Sequence, residues 1–199
     1  MVLQVVPRTV IIPLVWLLSC GVLSDRRAGD VLRSGEWILL NGERIGGIEL
    51  LGTTATVLVT LDPECPFCQM YLPLLDSLVA LPGYGAVRFV GVFASPYIPR
   101  DSAAKFMRTS PAMFNGIMDP EFVLCKALGA RVTPEVFVLD GEGSMVYHGA
   151  IDDRAVRAGQ KRIQATEHYL SDAINAVLRG ERPADREVTA VGCILEYDR

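Results

Sequence analysis

The feature that most restricts this chain is a pair of cysteines, Cys65-Pro66-Phe67-Cys68, placed where a buried strand pattern passes into a helical one. Before the pair, Ala55 to Leu61 is β-branched and apolar, as expected of a strand covered on both faces in a parallel or mixed sheet. Asp62-Pro63 stops it. After the pair, Tyr71, Leu74, Leu75 and Leu78 recur at helical spacing and predict a helix from Pro66 to about Leu81. A thiol at a helix N-terminus has its thiolate stabilised by unpaired backbone N–H groups and the helix dipole, and the thiolate is the nucleophile of disulfide exchange. Two intervening residues in the opening turn let the second sulfur reach the first within disulfide geometry. Cys65 is therefore the expected nucleophile. Cys68, deeper in the turn, is the thiol expected to attack a mixed disulfide on Cys65 and release the partner. A static disulfide and half of a zinc site are the other readings of the pair. Zinc would need further ligands, and Cys125, Cys193, His148 and His168 offer no second close pair, so no metal or cofactor is expected.

The remaining pattern alternates between strand and helix. Trp37 to Leu40, the Asn41-Gly42 turn and a return at Ile48 to Leu51 suggest an N-terminal β-hairpin. Val87 to Phe93 reads as a second buried strand, Asp101 to Arg108 as a short helix, and Glu121 to Leu128 as a helix ended by Gly129. Val136 to Leu139 and Ser144 to His148, joined by Asp140-Gly141-Glu142-Gly143, form a second hairpin. Ile163 to Leu178 carries one apolar helical face. The order implies an α/β fold with a central mixed sheet and helices on both faces. With 199 residues, half of them hydrophobic, the chain suits one domain with appendages. That domain is expected over 37–180, followed by a C-terminal tail over 181–199. A net charge of -4 with scattered Lys and Arg argues against nucleic-acid binding.

The start of the chain reads as an export signal. Arg8 is the only charge before Asp25, and the apolar run from Val10 to Leu23 falls short of the roughly 18 to 20 residues of a spanning helix. Residues 1–19 are thus expected to be a signal peptide or membrane anchor and 20–36 a tether. Leu17-Leu18-Ser19-Cys20-Gly21 resembles a bacterial lipoprotein signal, which would make Cys20 the lipidation site and attach the protein to a membrane; Leu18 is larger than usual there. The body would then face the periplasmic or extracytoplasmic side of the cell envelope, where disulfides persist. Without Cys20, the cysteines left are Cys65, Cys68, Cys125 and Cys193, enough for two pairs without requiring them.

Cys65-Pro66-Phe67-Cys68-Gln69-Met70-Tyr71-Leu72-Pro73 resembles the thioredoxin active-site helix, with Met70 and Pro73 matching and Gln69 departing. Val132-Thr133-Pro134-Glu135-Val136 is similar to the segment of that fold whose cis-proline faces the dithiol. The resemblance implies a thioredoxin-like fold, with Pro134 against the sulfurs and the Thr133 backbone bonding an extended substrate. Tyr147 to Arg154, Gly159 to Arg162 and Val191-Gly192-Cys193 further resemble redoxins of the alkyl hydroperoxide reductase/thiol-specific antioxidant, peroxiredoxin-like group. The implied activity is exchange of disulfides with protein thiols, maintained by an upstream redox partner protein.

Two other activities stay open. A peroxidase would carry a proline seven residues and a Thr or Ser three residues before its reactive cysteine. Counted from Cys65 those places hold Leu58 and Asp62, and from Cys68 they hold Leu61 and Cys65. A copper-binding assembly factor would use both cysteines and a distant histidine such as His148. Cys125 reads as a buried inert thiol, and Cys193 as a possible accessory thiol, either resolving Cys65, pairing Cys125 or packed on an added strand. Asp152, Asp153 and Arg154 read as a structural ion-pair cluster. Val59 stands where thioredoxins place a buried acid, so proton transfer at Cys68 needs another group or water.

Overall fold

The computed structural model describes residues 28–112, 114–157 and 159–197. The expected leader, the Cys20 lipidation site and the first part of the tether lie outside them. Among the described residues no helix is long and apolar enough to cross a membrane.

Three parallel strands form the centre of the sheet: β3 (Ala55–Thr60), β4 (Val87–Phe93) and β5 (Asn115–Met118). The N-terminal hairpin, β1 (Glu36–Leu39) and β2 (Arg44–Gly46), adds antiparallel beside β5. On the other side β7 (Val136–Asp140) pairs antiparallel with β3, β8 (Met145–Gly149) antiparallel with β7, and β11 (Glu187–Val188) parallel with β8. Two short pairs lie outside this sheet: β6 (Val132–Thr133) with β12 (Cys193–Ile194), and β9 (Ala155–Arg157) with β10 (Gln160–Lys161).

Strand alternation divides the core into two layers. Val57 and Val59 of β3, Phe89 and Phe93 of β4, and Val136 and Val138 of β7 face α2 (Pro66–Val79), α3 (Arg100–Met107) and α5 (Tyr169–Leu178). Leu58, Val90, Val92, Phe137 and Leu139 face a helix over residues 28–34, α1, together with α4 (Val123–Leu128). This is the thioredoxin-like α/β fold, a mixed sheet with helices on both faces and an N-terminal hairpin. All six residues of β3 are buried because apolar layers cover both of its sides.

Several boundaries differ from the sequence expectation. Part of the predicted tether is helix: Ala28 and Leu32 are fully buried, and the Leu32 carbonyl accepts a hydrogen bond from Trp37 Nε1 at 2.9 Å. Ala28 and Gly29, with Leu32 one turn on, supply one buried helical face that the intervening Asp30 and the following Arg33 obscure in the sequence. The return strand of the first hairpin is Arg44–Gly46, whereas Ile48 lies in a 3-10 turn over Gly47–Leu50. Asn41 Oδ1 accepts from Glu43 N, Gly42 takes a φ of 91°, and the chain reverses over residues 40–43. The last helix begins at Tyr169, and Ile163 is exposed. The Asp153 carboxylate accepts from Thr166 N, Thr166 Oγ1 and Glu167 N, which holds that stretch as a loop. The described part of the tail, 181–197, is built into the fold by β11 and β12.

Candidate active site

Cys65 is the N-cap of α2 and takes extended dihedrals, while Pro66 fills the first helical position, where no N–H is needed. Gln69 N donates to the Cys65 carbonyl at 3.1 Å and opens the helical ladder, which continues through Pro73. Upstream, Cys65 N donates to Asp62 O at 3.2 Å, and Asp62 Oδ1 accepts from Glu64 N at 2.8 Å. A tight turn thus carries β3 into α2 and leaves both sulfurs at the C-terminal end of the parallel strands.

The partner loop comes from β6. The Thr133–Pro134 peptide bond is cis. Thr133 meets both cysteines: its carbonyl oxygen lies 3.1 Å from Cys65 Sγ and its hydroxyl oxygen 3.1 Å from Cys68 Sγ. Cys68 Sγ also accepts from Asp62 N at 3.4 Å. The loop is braced from below by two residues that the sequence reading passed over. Thr60 Oγ1 donates to Val132 O at 2.8 Å and accepts from Glu135 N at 2.8 Å. The buried Glu135 carboxylate accepts from Arg131 N at 2.7 Å and Val132 N at 3.3 Å. A lone acid between Pro134 and an apolar strand was the available signal, since such a residue must find partners if it is buried.

The two thiols are driven in opposite directions. Cys65 is lowered to about 5, chiefly by the hydrogen bond from the Cys68 side chain; burial opposes this, and hydrogen bonds from Cys193 and from the backbone of Cys68 and Phe67 add to it. Cys68 is pushed well above its usual range, first by burial and then by its interactions with Cys65. Of the two, Cys65 is the thiol that ionises first and Cys68 the one that keeps its proton. This is the division of roles that an attacking and a resolving cysteine require.

Cys193 reaches the same place from the end of the chain. Its Sγ lies 2.6 Å from Cys65 Sγ, and β12 runs antiparallel to β6 with Cys193 opposite Thr133 and Ile194 opposite Val132. Burial pushes the Cys193 thiol up to about 12, helped by its hydrogen bond to Cys65 and the charge there. All four described cysteines are free. Cys125 is fully buried in the opposite layer on α4, where burial and the nearby Asp119 raise its thiol well above the usual range.

The remaining sequence candidates lie apart from the sulfurs. The His148 ring stacks on Phe137 at 6.0 Å, and its Nε2 lies 3.6 Å from Glu187 Oε2. Phe137 belongs to the layer on the far face of the sheet from Cys65 and Cys68, so His148 is not positioned to share a ligand with them. Asp152 is buried and accepts from Tyr71 OH at 2.6 Å and from Arg154 N and Nε at 2.9 and 2.7 Å. The Arg154 guanidinium lies 5.0 Å from the Tyr71 ring centroid, tying this loop to α2. Leu58, where a peroxidase would carry a proline, is buried in the far layer, and Asp62, where it would carry a hydroxyl, has its carboxylate engaged in its own turn.

No protein-family model matches the chain, and no curated protein matches it. Solved structures do. An uncharacterised protein from Sinorhizobium meliloti superimposes with a TM-score of 0.71 at 23% identity, covering 83% of this chain and 93% of that one. An uncharacterised conserved protein from Geobacillus kaustophilus gives 0.69 at 21% identity, covering 83% and 90%. A secreted Mycobacterium tuberculosis disulfide oxidoreductase homologous to E. coli DsbE gives 0.53 at 18% identity, covering 76% and 98%.

Proposed function

We propose that this protein is a thiol-disulfide oxidoreductase that exchanges disulfides with partner proteins through Cys65 and Cys68. The observation that carries this reading is the pair of thiols that meet Thr133 beside the cis-proline turn, Cys65 at the helix start with its thiol lowered and Cys68 buried behind it with its thiol raised. A partner disulfide attacked by the Cys65 thiolate gives a mixed disulfide and releases one partner thiol. Cys68 then attacks Cys65, closes the Cys65–Cys68 disulfide and frees the second. An upstream redox protein restores the dithiol, or the same steps run in reverse to oxidise a partner. Thr133 and Pro134 form the surface against which an extended partner segment lies.

The same reading places the protein in the cell envelope, on the periplasmic or extracytoplasmic side, held to the membrane by its N-terminal segment or a lipid on Cys20. The apolar leader supports this, as does the fold shared with a secreted disulfide oxidoreductase.

Purified protein tests the reading through its reduction potential, insulin reduction and peroxide turnover, measured for the parent, Cys65→Ser and Cys68→Ser. Insulin reduction is expected to disappear with Cys65→Ser, and Cys68→Ser is expected to stall as a mixed disulfide. Robust peroxide turnover surviving in Cys68→Ser would instead make the protein a peroxidase.

A further inference from the structure

The expected nucleophile is covered. Cys65 is only 2% exposed, and besides Cys68 its sulfur meets the side chain of Cys193 on β12. The strand is paired antiparallel with Val132 and Thr133, the residues that precede the cis-proline. Leu195 N continues the ladder by donating to Arg131 O at 3.0 Å. Beyond it Tyr197 packs edge-on against Phe122 at 5.1 Å, and its hydroxyl donates to the Ala130 carbonyl. Gly192 admits this approach: a Cβ there would stand 2.4 Å from Thr133 O and 3.2 Å from Pro134 N. On the outer side Ile194 is 78% exposed, so one edge of the strand enters the site and the other meets solvent.

We propose that the C-terminal strand is a built-in stand-in for the extended, cysteine-bearing peptide that this site recognises, and that Cys193 exchanges disulfides with Cys65 as a substrate cysteine would. The inference rests on the exchange activity proposed above and names its substrate geometry: a strand entering antiparallel to Val132–Thr133, with a small residue immediately before its cysteine. Starting from the Cys65–Cys68 disulfide, Cys193 loses its proton and its sulfur forms a bond to Cys65 Sγ. The Cys65–Cys68 bond breaks and Cys68 leaves as a thiolate that takes up a proton. One disulfide replaces another, and no outside oxidant is consumed. The charge and hydrogen bond of the Cys65 thiolate, which help hold Cys193 protonated in the reduced protein, are absent once Cys65 is in a disulfide. The reverse step, Cys68 attacking Cys65, returns the free tail cysteine.

Docked, the strand excludes partners; lifted, it exposes Cys65. Its strand pairing is two residues long, extended by the Leu195–Arg131 bond and held by Tyr197, so an incoming strand that offers the same backbone bonds competes with it for Val132 and Thr133. If the tail is docked in about nine molecules of ten, partner exchange runs about tenfold below its unlatched rate.

The test uses the full chain purified in detergent. Cys68→Ser is oxidised with a small excess of oxidised glutathione, free thiols are alkylated in acid, and disulfides are mapped by peptide mass. The expected product links Cys65 to Cys193 and leaves Cys125 free. In parallel, insulin reduction is compared between the parent, Cys193→Ala and Gly192→Val. Gly192→Val keeps the cysteine but drives the strand off Thr133. Both variants are expected to gain several-fold in rate, up to about tenfold, and Gly192→Val combined with Cys68→Ser is expected to lose the Cys65–Cys193 link. A persistent glutathione adduct on Cys65 with Cys193 free, or rates in both variants equal to those of a parent that does reduce insulin, overturns the inference. If the Cys65–Cys193 link forms while neither parent nor variants reduce insulin, Cys193 exchange stands and the proposed activity on partner proteins fails. If insulin is reduced but no link forms, the tail inference alone fails.

Discussion

The Thr133 hydroxyl oxygen stands 3.1 Å from the Cys68 sulfur. The strand before the dithiol carries Val59, fully buried, so no carboxylate from that position manages the Cys68 proton. Thr133 is the polar side chain in contact with that sulfur, and its hydroxyl lowers a thiol that burial raises. The same residue presents its carbonyl to Cys65, so the cis-proline loop couples to both halves of the pair.

Thr133→Val tests that contact with little change in shape. Loss of a hydrogen bond to a developing thiolate costs about 1.5 to 3 kcal/mol, which corresponds to roughly a tenfold or greater slowing of Cys68 attack. Stopped-flow measurement of the Cys65 mixed-disulfide lifetime reads the effect. A lifetime equal to the parent's removes the hydroxyl from the mechanism.

The Cys65 thiol is held at about 5, below its usual 9. The thiolate is the reactive form, so alkylation of Cys65 in the reduced protein stays fast at neutral pH and falls as the pH drops through about 5. Replacing Cys68 or Cys193 with Ala removes a hydrogen-bond donor and shifts that midpoint upward, more for Cys68. Iodoacetamide rates between pH 4 and 9, followed by mass, give the profile; a midpoint near 9 in the parent contradicts it.

Cys125 lies on the far side of the sheet, fully buried, with its thiol raised by burial and Asp119. In the folded protein it resists alkylation at pH 7 while Cys65 reacts to completion, and it becomes reactive only in denaturant. Cys125→Ala leaves insulin reduction at the parent rate.

Asp152 joins the loop after β8 to the active-site helix through Tyr71 and Arg154. Asp152→Ala leaves the Tyr71 hydroxyl and the Arg154 guanidinium without their carboxylate, and breaking a buried pair in this way costs about 3 to 5 kcal/mol. Tyr71→Phe keeps the Asp152–Arg154 pair and costs about 1 to 2 kcal/mol. Urea midpoints of the reduced proteins are expected to fall in that order, with Cys65 alkylation preserved in Tyr71→Phe.

The dithiol, its helix and the sheet centre were legible in the residue order because each rests on local rules. β3 is a run of apolar and β-branched residues, α2 repeats its apolar residues at helical spacing, and Pro66 beside Cys65 suits a helix start. The Thr133-Pro134 landmark was legible too, although the Thr60 and Glu135 contacts that brace it join residues far apart in the chain. Strands such as β6, β11 and β12 span two residues each and carry no periodicity of their own. They exist because backbone groups at an open edge or loop find partners, and those partners come from distant segments. Cys193 could be named from the sequence as a candidate thiol in three different roles. Only tertiary packing, which closes a separation of 128 residues through the β12–β6 ladder and the Tyr197 anchor, put its sulfur on Cys65 rather than on Cys125.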